Sequence, residues 1–133
     1  MELSPSYGYT RLLSGIDYYD AVAKVTDALA AEGFGVLTEI DVRATLKKKL
    51  GVEFRKYVIL GACNPPLAYQ TLSAEPGIGL LLPCNVVVTE DDGGNAIVAA
   101  IKPSAMFTVV DNPDVAPIAA EVDAKLQRAL EAL

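Results

Sequence analysis

The sequence contains no histidine and no tryptophan. Without an imidazole there is no His-based triad, no His-ligated metal centre and no side chain that titrates near neutrality unaided. Cysteine is scarce as well. Cys63 and Cys84 are too few for a closed zinc site on their own, so neither a metal nor a cofactor is expected. No apolar run approaches the roughly 20 residues of a spanning helix. The opening MELSPSYGYT lacks the basic-then-apolar order of a secretory signal. The expectation is a cytoplasmic protein without a membrane partner. Positive charge is in deficit too, and a net charge of −6 speaks against nucleic acid as a partner.

What remains is apolar and compact. At 133 residues, 52% of them hydrophobic, the chain suits one domain over 1–133 with a substantial core. Charge is distributed unevenly. Residues 43–56 carry +5 and the remainder −11. The basic segment contains Lys47, Lys48 and Lys49, which suit either the C-terminal dipole of a short helix or the steering of an anionic ligand.

Hydropathy periods and turn residues divide the chain into alternating elements. Residues 7–13 alternate as a strand. Asp17 is placed to cap a helix over 18–32, whose stripe is Tyr18, Val22, Val25 and Leu29, with Gly33 as its stop. Phe34, Val36, Thr38 and Ile40 read as one face of a second strand. Asp41 then caps a helix over 42–50 ended by Gly51. A third strand is expected over 54–62. Asn64 and Pro65 start a helix that ends near Ala74, before Pro76. Residues 79–89 read as a fourth strand in which Pro83 implies an edge position or a bulge. The run Asp91-Asp92-Gly93-Gly94-Asn95 predicts a hairpin into a fifth strand over 96–101. Residues 104–111 read as a short strand, and a helix over 113–133 closes the chain. This order favours an α+β fold, a two-layer sandwich with a largely antiparallel or mixed sheet of about five strands and helices packed on it.

The stretch over 57–88 holds the chemistry. Both cysteines lie in it, each followed by asparagine, as Cys63-Asn64 and Cys84-Asn85. Cys63 precedes a predicted helix N-terminus, where the dipole favours thiolate. It reads either as a candidate nucleophile with Cys84 as its partner or as a small buried residue at a strand end. Asn64 is accounted for as an N-cap. Asn85, inside an apolar strand, needs partners. It either satisfies backbone groups freed at Pro83 or faces a cavity and meets a ligand. Most carboxylates fall on surface helices and turns, and Glu39 is the one whose strand position offers shelter. Gly77-Ile78-Gly79 does not join a strand to a helix in dinucleotide-binding order.

Several segments together resemble a known family. They are GYT at 8–10, AEGFGVLTEIDV at 31–42, TLKKKLGVEFRKYVILGACNP at 45–65 and LLPCNVVV at 81–88. In this order they resemble the uncharacterised prokaryotic family called domain of unknown function 302. The resemblance implies a small, compact α+β fold capable of dimerising, and no established activity. Cys63, Asn64, Pro65, Cys84 and Asn85 match its most distinctive motifs.

Three readings follow. The favoured one is a non-enzymatic binding module for a small or anionic ligand, held by Cys63, Asn64, Cys84 and Asn85. Its alternatives are a thiol-dependent redox enzyme using Cys63 and Cys84, and a structural or interaction protein that forms a homodimer.

Overall fold

A computed structural model describes residues 3–133; Met1 and Glu2, which open the stretch read above as no signal sequence, lie outside the described residues. The chain forms β1 (Gly8–Leu13), α1 (Tyr18–Ala31), β2 (Gly35–Asp41), α2 (Val42–Leu50), β3 (Tyr57–Cys63), α3 (Pro65–Ala74), a 3₁₀ segment (Pro76–Leu81), β4 (Cys84–Glu90), β5 (Ala96–Ile101), α4 (Pro103–Met106), a 3₁₀ turn (Phe107–Val109) and α5 (Val115–Glu131). The five strands make one antiparallel sheet in the order β1-β5-β4-β3-β2. Helices pack on it, so the α+β two-layer architecture is the one observed. Among the described residues no helix is long and apolar enough to cross a membrane.

The helices start where short polar side chains satisfy otherwise unpaired backbone donors. Asp17 accepts from the Asp20 N–H at 2.8 Å, and Asp41 accepts from the Ala44 N–H at 2.9 Å. The core lies between one sheet face and the helical layer. Val58, Leu60 and Ala62 of β3 and Val86 and Val88 of β4 meet Val25 and Leu29 of α1 and Leu126 of α5. Arg11, on this same side of the edge strand β1, donates to the carbonyls of Leu130 at 2.7 Å and Glu131 at 2.8 Å. A cation there meets the negative end of α5.

The opposite, outer face is set by the pairing register. One cross-strand row runs Thr10, Ala99, Val87, Ile59, Ile40; a neighbouring row runs Leu12, Ile97, Thr89, Tyr57. Thr89 and Ile97 are buried where residues 51–56 lead back into β3, and the Thr89 hydroxyl donates to the Lys56 carbonyl at 2.7 Å. Leu12 and Ile40, at the two edges, remain 53% and 49% exposed.

Three expectations need correction. The fourth strand does not begin at Gly79. Residues 76–81 wind as 3₁₀ helix, and Pro83 sits just outside β4, which is an interior strand. A missing N–H therefore costs no ladder bond, and neither an edge position nor a bulge at Pro83 is needed. Residues 104–111 contain the short α4 and a 3₁₀ turn instead of a strand. The bulge lies instead in β2. The register shifts between Val36 and Thr38, leaving Leu37 as an extra residue. That shift puts Val36 opposite Ala62 on the inner side and sends Thr38 and Ile40 to the outer side.

The bulge matters because Thr38 lands on Gly61. A Cβ built on Gly61 would lie 2.1 Å from Thr38 Oγ1 and 2.8 Å from Pro83 Cγ. Two side chains thus occupy the space that any other residue at 61 would claim. Gly61→Ala is expected to lower the unfolding free energy by about 1–3 kcal/mol in chemical denaturation, the usual cost of overpacking. Gly35→Ala, which meets nothing within 4 Å, is the matched control and should change stability little.

Candidate functional site

The end of the sheet where β3 stops and β4 begins carries a cavity of about 350 Å³. Its floor is Ala62, Cys63 and Cys84; one wall is Leu67, Ala68 and Thr71 of α3; the other is Phe34, Leu37 and Thr38. Leu82, Pro83 and Phe107 close it from the side of the two 3₁₀ segments. The lining is almost wholly apolar. The Thr71 hydroxyl is already committed, donating to the Leu67 carbonyl at 2.7 Å.

Asn64 caps α3 as its residue type demands. Its Oδ1 accepts from the Leu67 N–H at 3.4 Å, while Nδ2 donates to the Glu32 carbonyl at 3.3 Å. One side chain therefore starts α3 and ties it to the last turn of α1. Gly33, at φ +86°, passes beneath it, and a Cβ there would lie 3.0 Å from Asn64 Nδ2. Asn64 borders the cavity with its amide engaged on both sides.

The two thiols differ. Both are free, Cys63 half-buried and Cys84 buried. The register pairs Cys84 with Ala62 and Gly35 with Cys63. Cys84 shares the inner face with Ala62, and Cys63 has the opposite parity. Burial pushes the Cys84 thiol up to about 12, with smaller contributions in the same direction from Cys63 and Asp123. A thiol held protonated in this way is neither a nucleophile nor a good metal ligand at neutral pH. Among the described residues no group of three or more His, Cys, Asp or Glu side chains gathers as a metal site.

The structure brings Cys63, Asn64 and Cys84 together and leaves Asn85 and the lysines elsewhere. Asn85 lies opposite Gly61 on the outer side, exposed, beside Tyr57 and Val87 in a separate shallow groove. It makes no hydrogen bond among the described residues; water reaches its amide, so none is required. Lys47, Lys48 and Lys49 sit in the last turn of α2 and are not among the residues that line the cavity. Lys47 pairs with Glu53. Neither Asn85 nor these lysines touch the cavity. Residues not singled out in the sequence do line it, namely Leu37, Thr38, Leu82 and Phe107. Their signal was faint: a glycine inside the apolar third strand, whose missing side chain makes room for Thr38 and Pro83.

An antiparallel five-stranded sheet backed by helices, with an apolar cavity at one sheet end, defines the class. A family model described as "Domain of unknown function DUF302" matches residues 9–133, and the chain belongs to that family. The structure is similar to the crystal structure of an uncharacterized conserved DUF302 protein from Bacillus stearothermophilus. The TM-score is 0.88 and the identity 29%, over 96% of this chain and 98% of that one. No curated protein matches the chain.

The asymmetry of the thiols is testable. Native protein should react with one equivalent of a neutral-pH thiol reagent, at Cys63, and denatured protein with two. The sign of the pH effect follows from the raised value. An exposed thiol ionises near 9.0 and the folded Cys84 near 12, so the unfolded chain releases this proton first. Its contribution to stability is complete below about 9 and is lost as pH rises towards 12. Cys84→Ala should be less stable than wild type at pH 7, and the gap should narrow as pH rises from 9 to 11 in urea denaturation.

Proposed function

We propose that this protein is a non-enzymatic binding module whose cavity takes a small, predominantly apolar molecule. The observation that supports this reading is the lining. The cavity of about 350 Å³ is walled by Phe34, Leu67, Ala68, Leu82 and Phe107, and its polar neighbours, Asn64 and Thr71, spend their groups on the backbone. A site of this size and composition gains affinity from excluded apolar surface. Among the side chains of the described residues that line the cavity, Cys63 and Thr38 are the ones left to offer a guest a polar contact. An anionic ligand is disfavoured, because no cation among the described residues lines the cavity and a buried unpaired charge is costly.

A thiol-dependent function is the second reading, and it rests on Cys63 alone. Its half-buried thiol lies one residue before the cap of a ten-residue helix and lines the cavity. A dithiol cycle with Cys84 is the weaker form, since the two residues have opposite parity in the sheet and Cys84 is held protonated.

The test is fluorescence titration with N-phenyl-1-naphthylamine, a neutral apolar probe. Wild type should bind it saturably. Ala68→Phe, which fills the cavity from α3, should weaken binding at least tenfold while the circular dichroism spectrum is unchanged. A triple Lys47, Lys48, Lys49→Glu variant should bind as wild type does. Absence of saturable binding to wild type, or equal binding to Ala68→Phe, would overturn the proposal.

A further inference from the structure

We infer that Cys63 is a site of S-acylation: it takes the acyl group of a thioester, and the chain of that acyl group fills the cavity. The inference rests on the cavity being a seat for an apolar guest, and it names the guest. Charge narrows the choice. The segments 33–38, 61–74 and 76–84 supply most of the lining and contain no charged side chain. A fatty carboxylate would meet no cation among the described residues of the lining. A thioester presents the same chain with a neutral carbonyl.

Cys63 stands where such a carbonyl would come to rest. It is the last residue of β3, half-buried, and the residue after it caps α3. Its thiol borders the cavity on one side and water on the other. The mouth is apolar as well: Leu37 and Leu72 line the cavity and are 68% and 41% exposed. A chain enters past them while the polar carrier of the thioester stays in water. Neither thiol makes a hydrogen bond among the described residues. Cys84, 6% exposed on the floor, is out of reach of a carrier in water. Its thiol faces the chain, and that of Cys63 faces the carbonyl.

The step balances without a further reactant. Cys63 Sγ gives up its proton to water and adds to the thioester carbonyl carbon. A C–S bond forms at Cys63 and the C–S bond to the carrier breaks. The carrier sulfur leaves with that electron pair and takes up a proton; nothing is oxidised or reduced. One thioester replaces another, so the bond energies nearly cancel, and burial of the chain decides where the acyl group rests. A seat for the chain therefore predicts discrimination by chain length, which an ordinary surface thiol lacks.

Intact-mass spectrometry with acyl thioesters of N-acetylcysteamine, which are small uncharged donors, tests the inference. Wild type should gain one decanoyl group that neutral hydroxylamine releases. It should gain this group about tenfold faster, or more, than an acetyl group, since each methylene adds apolar surface to bury. Urea-denatured wild type should show no such preference. Cys63→Ser should gain no hydroxylamine-labile group. Ala68→Phe keeps the thiol, fills the seat and should lose the preference for the longer chain. Decanoylated wild type should bind N-phenyl-1-naphthylamine at least tenfold more weakly than unmodified protein. Wild type that binds this probe but gains no decanoyl group overturns the inference and leaves the apolar-guest reading standing. Wild type that does neither overturns both. Equal decanoyl and acetyl rates in native wild type, or an undiminished preference in Ala68→Phe, overturns the inference too, because Cys63 would then react without the cavity.

Discussion

Alternate residues of β3 and β4 leave the sheet on opposite sides, and this pleat sorts every candidate side chain in the protein. Val58, Leu60 and Ala62 go inward with Cys84, Val86 and Val88, and they hold the helical layer. Tyr57, Ile59 and Gly61 go outward with Asn85, Val87 and Thr89. Two Cys-Asn dipeptides that look equivalent in the chain are thereby made inequivalent. In the second, the thiol faces the core and the amide faces water. In the first, the strand has ended, so Asn64 turns to cap a helix while Cys63 remains at the lip of the cavity. A one-residue slip of β4 would exchange the two faces and place an amide in the core, where its desolvation would cost several kcal/mol without partners.

The cavity is a consequence of how the chain approaches and leaves this sheet end. Six residues of 3₁₀ helix advance about 12 Å, where six residues of strand would cover about 20 Å. The segment Pro76–Leu81 therefore arches beside the end of β3 instead of extending β4. On the other side the bulge at Leu37 turns Thr38 over Gly61, where it shares with Pro83 the space a side chain at 61 would claim. Asn64 holds the back of the site by tying α3 to the end of α1. What remains enclosed is the space above Ala62 and Cys84, bounded by α3 and by Phe107.

Local chemistry was readable wherever a residue type has one cheap structural use. Asp17, Asp41 and Asn64 each accept a backbone N–H at a helix start, and Asp91 organises the hairpin by accepting from Gly93 and Asn95. Gly33 and Gly51 adopt the positive φ that their position after a helix requires. The run LLLPCNVVV was not readable in the same way. It is apolar at both parities, so hydropathy carries no period to say where the strand starts or which face receives Asn85. The bulge at Leu37 was hidden for a related reason. Phe34, Val36, Thr38 and Ile40 alternate perfectly as letters, and only pairing with β3 reveals the extra residue. The lysines misled through composition: a local charge of +5 says nothing about position, and none of the three lines the cavity.

Thr38 belongs to two surfaces at once. It lines the cavity, and it pairs with Gly61 in the outward register, one row from Ile59 and Ile40. Because Gly61 has no side chain, both Thr38 and Pro83 reach the space a Cβ there would fill. The room that Thr38 and Pro83 occupy at this wall of the cavity thus depends on a single missing side chain, that of Gly61.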